Sequence, residues 1–311
     1  MTRAATPSRL GSERRAPAER PAREAAIREI LFPSDLSLAS DRAFAHAALI
    51  AERFGARTTL YHLVETTTPV GGADRPSARL EVLRRAERYA REHLARRAEA
   101  LCSPAEIVVE HGGTIHDAVL RMIAARGPDL TVMSTHGRDG LARLALGSVA
   151  EIVMNLGESP VLCVREPEHG VALPYRRLLV PTDMSRASTR AFPLAGLLAR
   201  SFGAGVLALH VAPRPAGDPP FRTSGVTQEI EWRMPSEAAL AAFVGPGLAG
   251  VSVIPRVEIG SAWDRIVATA REERADLIVM STHGRDSFRD LVLGSHTERV
   301  VRHASCPVLV V

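Results

Sequence analysis

The chain has 311 residues, 46% apolar and 24% charged, enough for about two domains that bury their own cores without disulfides or metals. Its net charge of +4 sits mostly in residues 1–26, where six arginines face three glutamates and contribute +3; the nearly neutral remainder lacks the basic surface that nucleic-acid binding requires. Three scattered cysteines, Cys102, Cys163 and Cys306, suggest neither a zinc knuckle nor a disulfide framework and read as buried apolar thiols, and the absence of lysine excludes a lysine-dependent P-loop.

Residues 1–26, rich in Arg, Ala and Pro and without apolar periodicity, read as a disordered tail. Interspersed glutamates argue against a targeting peptide, and no apolar run approaches the roughly 18 residues of a membrane span, so a cytoplasmic protein without membrane contact is expected. A first domain follows over 27–166, with strands at 28–34, 57–64, 105–110, 129–135 and 160–165. Between them Phe44, Ala47, Ala51 and Phe54 keep helical spacing, as do Leu80, Leu83, Ala86, Ala90, Leu94 and Leu101, and both stripes are expected to face the core. A linker spans 167–175. The second domain, 176–311, repeats the strands at 176–182, 205–212, 251–258, 276–282 and 307–311. Its prolines 213, 215, 219, 220 and 235 and the run Gly245-Pro246-Gly247 predict a second helix that is shorter or interrupted.

The strands are continuous apolar runs, as when helices cover both sheet faces. Their alternation with helices predicts an α/β fold of two Rossmann-like, open, parallel five-stranded sheets flanked by helices, in tandem. Sequence identity between the halves supports the tandem: DLTVMSTHGRD at 129–139 returns as DLIVMSTHGRD at 276–286, and ILFPSDLS at 30–37 returns as LLVPTDMS at 178–185. Asp35 to Asp183, Phe44 to Phe192, Gly55 to Gly203 and His62 to His210 are 148 apart, whereas Gly113 to Gly260, Asp117 to Asp264 and Gly147 to Gly294 are 147 apart. So constant a register means duplication of a whole domain.

The chemistry concentrates after each fourth strand. Ser134-Thr135-His136-Gly137, nine residues and Gly147-Ser148 are matched by Ser281-Thr282-His283-Gly284, nine residues and Gly294-Ser295. A strand that ends in small residues, loops and re-enters as a helix behind a glycine presents free backbone N–H groups at the positive end of the helix dipole, which is an anion site that needs no lysine. Other readings of the same residues stand beside this one. Ser148 with Glu151, and Ser295 with Glu298, have the spacing of capping boxes, and the glycines could only shape turns. His136 and His283 are either acid-base groups or locally bonded, and His62 and His210 are core or pocket-lining. Asp35 and Asp183 either cap the following helices or bind ligand at the carboxyl edge of the first strand, while Asp117 and Asp264 suit helix-dipole partners.

This pattern resembles the nucleotide signature of the universal stress protein family, glycine-x2-glycine-x9-glycine-serine/threonine, with Ser134 and Ser281 in place of the first glycine. The resemblance implies phosphates resting on the loop, at Ser134, His136, Gly137, Gly147 and Ser148 and at Ser281, His283, Gly284, Gly294 and Ser295. It implies that Pro33, Ser34 and Asp35, and Pro181, Thr182 and Asp183, meet the adenosine, and that Leu63 and Val211 flank the adenine. The implied ligand is ATP, or AMP or ADP, with or without Mg2+, in a regulatory or stress-survival role. The implied assembly is an intrachain pseudo-dimer whose last strands cover each other, with a homodimer as a further option. No paired carboxylates, nucleophile elbow, Cys-His signature or metal-ligand cluster is found, so no catalytic or metal residue is assigned. A slow ATPase or phosphotransferase and a non-binding dimerisation module are the alternatives.

Overall fold

The computed structural model describes residues 26–65, 76–135, 147–165, 173–213, 235–282 and 294–311. The first repeat runs β1 (Glu29–Pro33), α1 (Leu38–Phe54), β2 (Arg57–Val64), α2 (Pro76–Glu99), β3 (Ala105–His111), α3 (Ile115–Arg126), β4 (Leu130–Ser134), α4 (Ser148–Leu156) and β5 (Val161–Val164). The second runs β6 (Arg177–Pro181), a 3-10 turn (Ser188–Arg190), α5 (Ala191–Phe202), β7 (Gly205–Ala212), α6 (Glu237–Val244), β8 (Val253–Ile259), α7 (Ala262–Glu272), β9 (Leu277–Met280), α8 (Ser295–His303) and β10 (Val308–Val310). The repeated Phe-Gly pairs are helix stops: Gly55 and Gly203 adopt φ 63° and 66°, the left-handed conformation that closes α1 and α5.

Within each repeat the strands are parallel, in the order 3-2-1-4-5, and the two five-stranded halves join into one mixed sheet, β3-β2-β1-β4-β5-β10-β9-β6-β7-β8. The junction is antiparallel, with Val308 opposite Cys163, Leu309 opposite Leu162 and Val310 opposite Val161. Each repeat thus covers the apolar edge that the other would leave open. Because the repeats run in opposite directions across this junction, their carboxyl edges lie at opposite ends of the sheet.

Helices sandwich the sheet. Residues of α1, α2, α5 and α6 pack on one face with Ile30, Phe32, Leu178 and Val180; residues of α3, α4, α7 and α8 pack on the other with Leu31 and Leu179. In the second expected stripe Ala90 and Leu94 are buried and Leu83 and Ala86 half-buried, but Leu80 is 48% exposed. The core beneath α2 ends near Leu83, and Leu80 lies one turn beyond it. Cys102 also departs from expectation: it occupies the turn between α2 and β3 and is exposed, whereas Cys163 and Cys306 are buried, which pushes each thiol up to about 12. Among the described residues the second helix of the second repeat, α6, has 8 residues against 24 in α2, the direction its prolines predict.

Between the repeats, fully buried Tyr175 bonds His46 Nδ1 at 2.8 Å and packs edge-on to Phe202, which in turn meets Phe54. At the positions 148 residues away, Ile27 and Leu194 replace Tyr175 and His46 and line a cleft of about 260 Å3.

Candidate functional site

The chain reverses its direction of winding between β1 and β4, so the carboxyl ends of β1, β2 and β4 stand side by side at a topological switch point, where open α/β sheets take ligands. The same holds for β6, β7 and β9. The turn leaving β1 is held in an unusual shape: Leu36 has φ 64°, and its counterpart Met184 has φ 58°. Bulky residues seldom enter the left-handed region, and that strain occurs in both copies. Side-chain bonds hold it. The Leu36 amide donates to Ser34 Oγ at 3.1 Å and the Met184 amide to Thr182 Oγ1 at 3.0 Å. Asp35 Oδ1 accepts from the Ser37 amide and hydroxyl, at 3.0 and 2.6 Å, and Asp183 Oδ1 accepts from the Ser185 amide at 2.9 Å.

Asp35 is therefore not the cap of α1. That cap is Ser37, whose hydroxyl accepts from the Ser40 amide at 3.2 Å, and Asp35 orients it. Ser34 and Thr182 are also turned inward, at 7% and 6% exposure, with their hydroxyls bonded to Ser40 Oγ and Ser188 Oγ. What these positions present to the sheet edge is mainly backbone. Beneath the turns, His62 Nδ1 lies 2.7 Å from the Ser34 carbonyl and His210 Nδ1 lies 2.9 Å from that of Thr182. Each imidazole donates there from the neighbouring strand, so these histidines position the turn. Leu63, buried, and Val211, partly buried, end the same strands.

The helix behind the loop is pinned to the end of the fourth strand, since the Gly147 amide donates to the Thr135 carbonyl at 2.7 Å and the Gly294 amide to that of Thr282 at 3.0 Å. Glu151 and Glu298 amides donate back to the carbonyls of Gly147 and Gly294, each at 3.0 Å, which makes the glycines the N-caps of α4 and α8. The expected capping boxes do not form. Ser148 and Ser295 are the first helical residues, one position too late to cap, and the glycines before them bring no side chain to the first turn. Both serines are exposed. Among the described residues no side chain caps these first turns, and the N–H groups of a helix start suit an anion.

Pro33, Ser34, Asp35, Leu63, Ser134, Gly147 and Ser148 thus share one edge of the first repeat, and Pro181, Thr182, Asp183, Val211, Ser281, Gly294 and Ser295 share that of the second. His136, Gly137, His283 and Gly284 lie outside the described residues. Asp117 and Asp264 sit in the first turns of α3 and α7, where a carboxylate complements the helix dipole. Among the described residues no group of three or more His, Cys, Asp or Glu side chains could hold a metal.

One residue escaped the sequence reading. Arg97, 6% exposed, donates from Nη1 to Ser34 Oγ at 2.8 Å and from Nε to Asp41 Oδ1 at 2.9 Å, with Nη2 also on that carboxylate. Its signal was present: Arg97 falls between Leu94 and Leu101 on the apolar face of α2, where a charge needs a buried partner.

Residues 26–165 and 174–311 both match the Universal stress protein family. A universal stress protein of Mycolicibacterium smegmatis is 29% identical over 299 residues, spanning 91% of this chain and 96% of its own. The crystal structure of a universal stress protein from Archaeoglobus fulgidus superimposes with a TM-score of 0.67 at 21% identity, over 91% of this chain and 95% of that one. A further solved universal stress protein, in complex with cAMP, covers 44% of this chain and 96% of its own at 24% identity, with a TM-score of 0.34.

Proposed function

The chain belongs to the universal stress protein family, and from that premise we propose that each repeat binds one adenine nucleotide, with ATP the leading ligand and ADP or AMP the alternatives, in a regulatory rather than catalytic role. The observation that carries this reading is the glycine-capped start of α4 and of α8, docked by that glycine onto the end of β4 or β9 beside the strained turn that follows β1 or β6. Phosphates suit the first-turn N–H groups and the dipole at the helix start, with Ser148 or Ser295 adding a hydroxyl. The adenosine suits the neighbouring turn, at Asp35 or Asp183, and the apolar end of the second strand, at Leu63 or Val211. Loop glycines Gly137 and Gly284 would let the phosphate chain approach the backbone. Mg2+ would then be held by the phosphates rather than by a protein cage.

Backbone donors of this kind hold ground-state phosphate and transition state alike, and such uniform binding does not speed hydrolysis. Bound nucleotide would instead set the conformation or the choice of partner. The test is to denature the protein as purified from cells and chromatograph the released small molecules. Adenine nucleotide approaching two equivalents per chain is expected. If none is released, and none binds when ATP is added back, the reading fails and the dimerisation module replaces it.

A further inference from the structure

We propose that Arg97 is a positioning residue that makes the nucleotide site of the first repeat the tighter of the two; this rests on the nucleotide reading above. Its guanidinium ties three elements together at a point under the β1–α1 turn. It reaches from the last turns of α2, clamps Asp41 in the first turn of α1, and donates to Ser34 Oγ at 2.8 Å. Its centre also lies 5.9 and 5.8 Å from the ring centroids of Phe32 and Phe44, within the range of cation–π attraction.

The Ser34 hydroxyl then has no freedom left. It accepts from Arg97 and from the Leu36 amide, so its own hydrogen goes to Ser40 Oγ, 2.8 Å away. That fixes the serine which in turn holds Leu36 in its left-handed conformation, and with it the outward backbone of the turn. A planar five-donor fork suits this task, since it can satisfy a carboxylate and a hydroxyl at once.

The second repeat builds the same turn without the brace. Thr182 accepts from the Met184 amide and bonds Ser188 Oγ, and His210 holds its carbonyl, but no guanidinium bonds Thr182 among the described residues. The reason is in the sequence. Asp41 corresponds to Thr189, and Arg97 corresponds to Val244 or Gly245, according to where the single-residue loss between His210 and Gly260 falls. The two turns carry the same strain, at Leu36 and at Met184, and among the described residues only the first is locked from behind by a guanidinium. A turn already held in its binding shape spends less of the ligand's interaction energy on ordering.

Isothermal titration with ATP tests this in two backgrounds, each leaving one site: Gly284→Val for the first and Gly137→Val for the second. Arg97→Met keeps the bulk and removes the charge and donors. It should weaken ATP about tenfold in the first background, as loss of charge-assisted hydrogen bonds does, and leave affinity in the second unchanged. Arg97→Lys, which keeps the charge and loses the fork, should fall between. Should Arg97→Met fail to fold, Asp41→Asn, at a half-exposed carboxylate, loosens the same clamp and should weaken the first site alone. A role only in packing would lower the unfolding midpoint in both backgrounds without separating the sites, and that result overturns the inference. So does equal affinity at the two sites that no Arg97 or Asp41 variant disturbs, while nucleotide binding itself stands. Absence of ATP binding at both sites of the unmodified chain instead overturns the nucleotide reading and this inference with it.

Discussion

His46 and Tyr175 show what a single pair contributes where the repeats meet. Burial lowers the His46 pKa to about 4, so the ring is neutral near pH 7, and its Nδ1 accepts from the buried Tyr175 hydroxyl. A histidine whose folded pKa lies below its unfolded value costs stability as pH falls from about 6.5 to about 4, because the unfolded chain takes up the proton first. At most roughly 3 kcal/mol is lost across that window. Urea unfolding at pH 7 and at pH 5 should therefore show a steeper loss in the natural chain than in the double variant His46→Leu/Tyr175→Phe. His46→Leu alone leaves the tyrosine hydroxyl buried without its acceptor and should cost about 1–3 kcal/mol already at pH 7. Equal pH dependence of the natural chain and the double variant would show that His46 does not govern this window. The pair that replaces them at the pseudo-equivalent position, Ile27 and Leu194, carries no titrating group and should contribute nothing to it.

Among the elements, β5 and β10 join the two repeats. Each is short, 4 and 3 residues, fully buried, and paired across the repeats. A fragment of residues 26–166 would expose β5 as an apolar edge, and such edges recruit other chains. Light scattering should find that fragment dimeric or larger; a monomer at high concentration would contradict the role assigned to the pairing. These strands were legible in the sequence, because a sheet covered on both faces reads as unbroken apolar runs such as VLCV and VLVV. The shortening of α6 was legible from its prolines. The strained turn was not, because Leu36 and Met184 are not residues that announce a left-handed conformation, and it is imposed by hydrogen bonds to Ser34 and Thr182. Glycine capping of α4 and α8 was missed because serine–glutamate spacing looks the same when the serine is one residue too far in. Arg97 was missed because its partners, Ser34 and Asp41, are more than 50 residues away along the chain.

For the whole molecule, antiparallel joining of two parallel half-sheets sends the two candidate sites to opposite ends, so one nucleotide cannot bridge them. On the proposed function, two separate binding events per chain are expected. Hydrolysis is not: with protein in excess over ATP and magnesium, most of the nucleotide should remain intact over minutes. Turnover of about one per second, within the usual range for enzymes, that is abolished by His136→Ala/His283→Ala or by Arg138→Ala/Arg285→Ala would replace the regulatory reading with an enzymatic one. The most direct measurement is calorimetric titration of the nucleotide-free chain with ATP. Two equivalents are predicted, falling to one in Gly137→Val or Gly284→Val and to none in the double variant, whereas one equivalent or none in the natural chain would contradict the claim that both repeats bind.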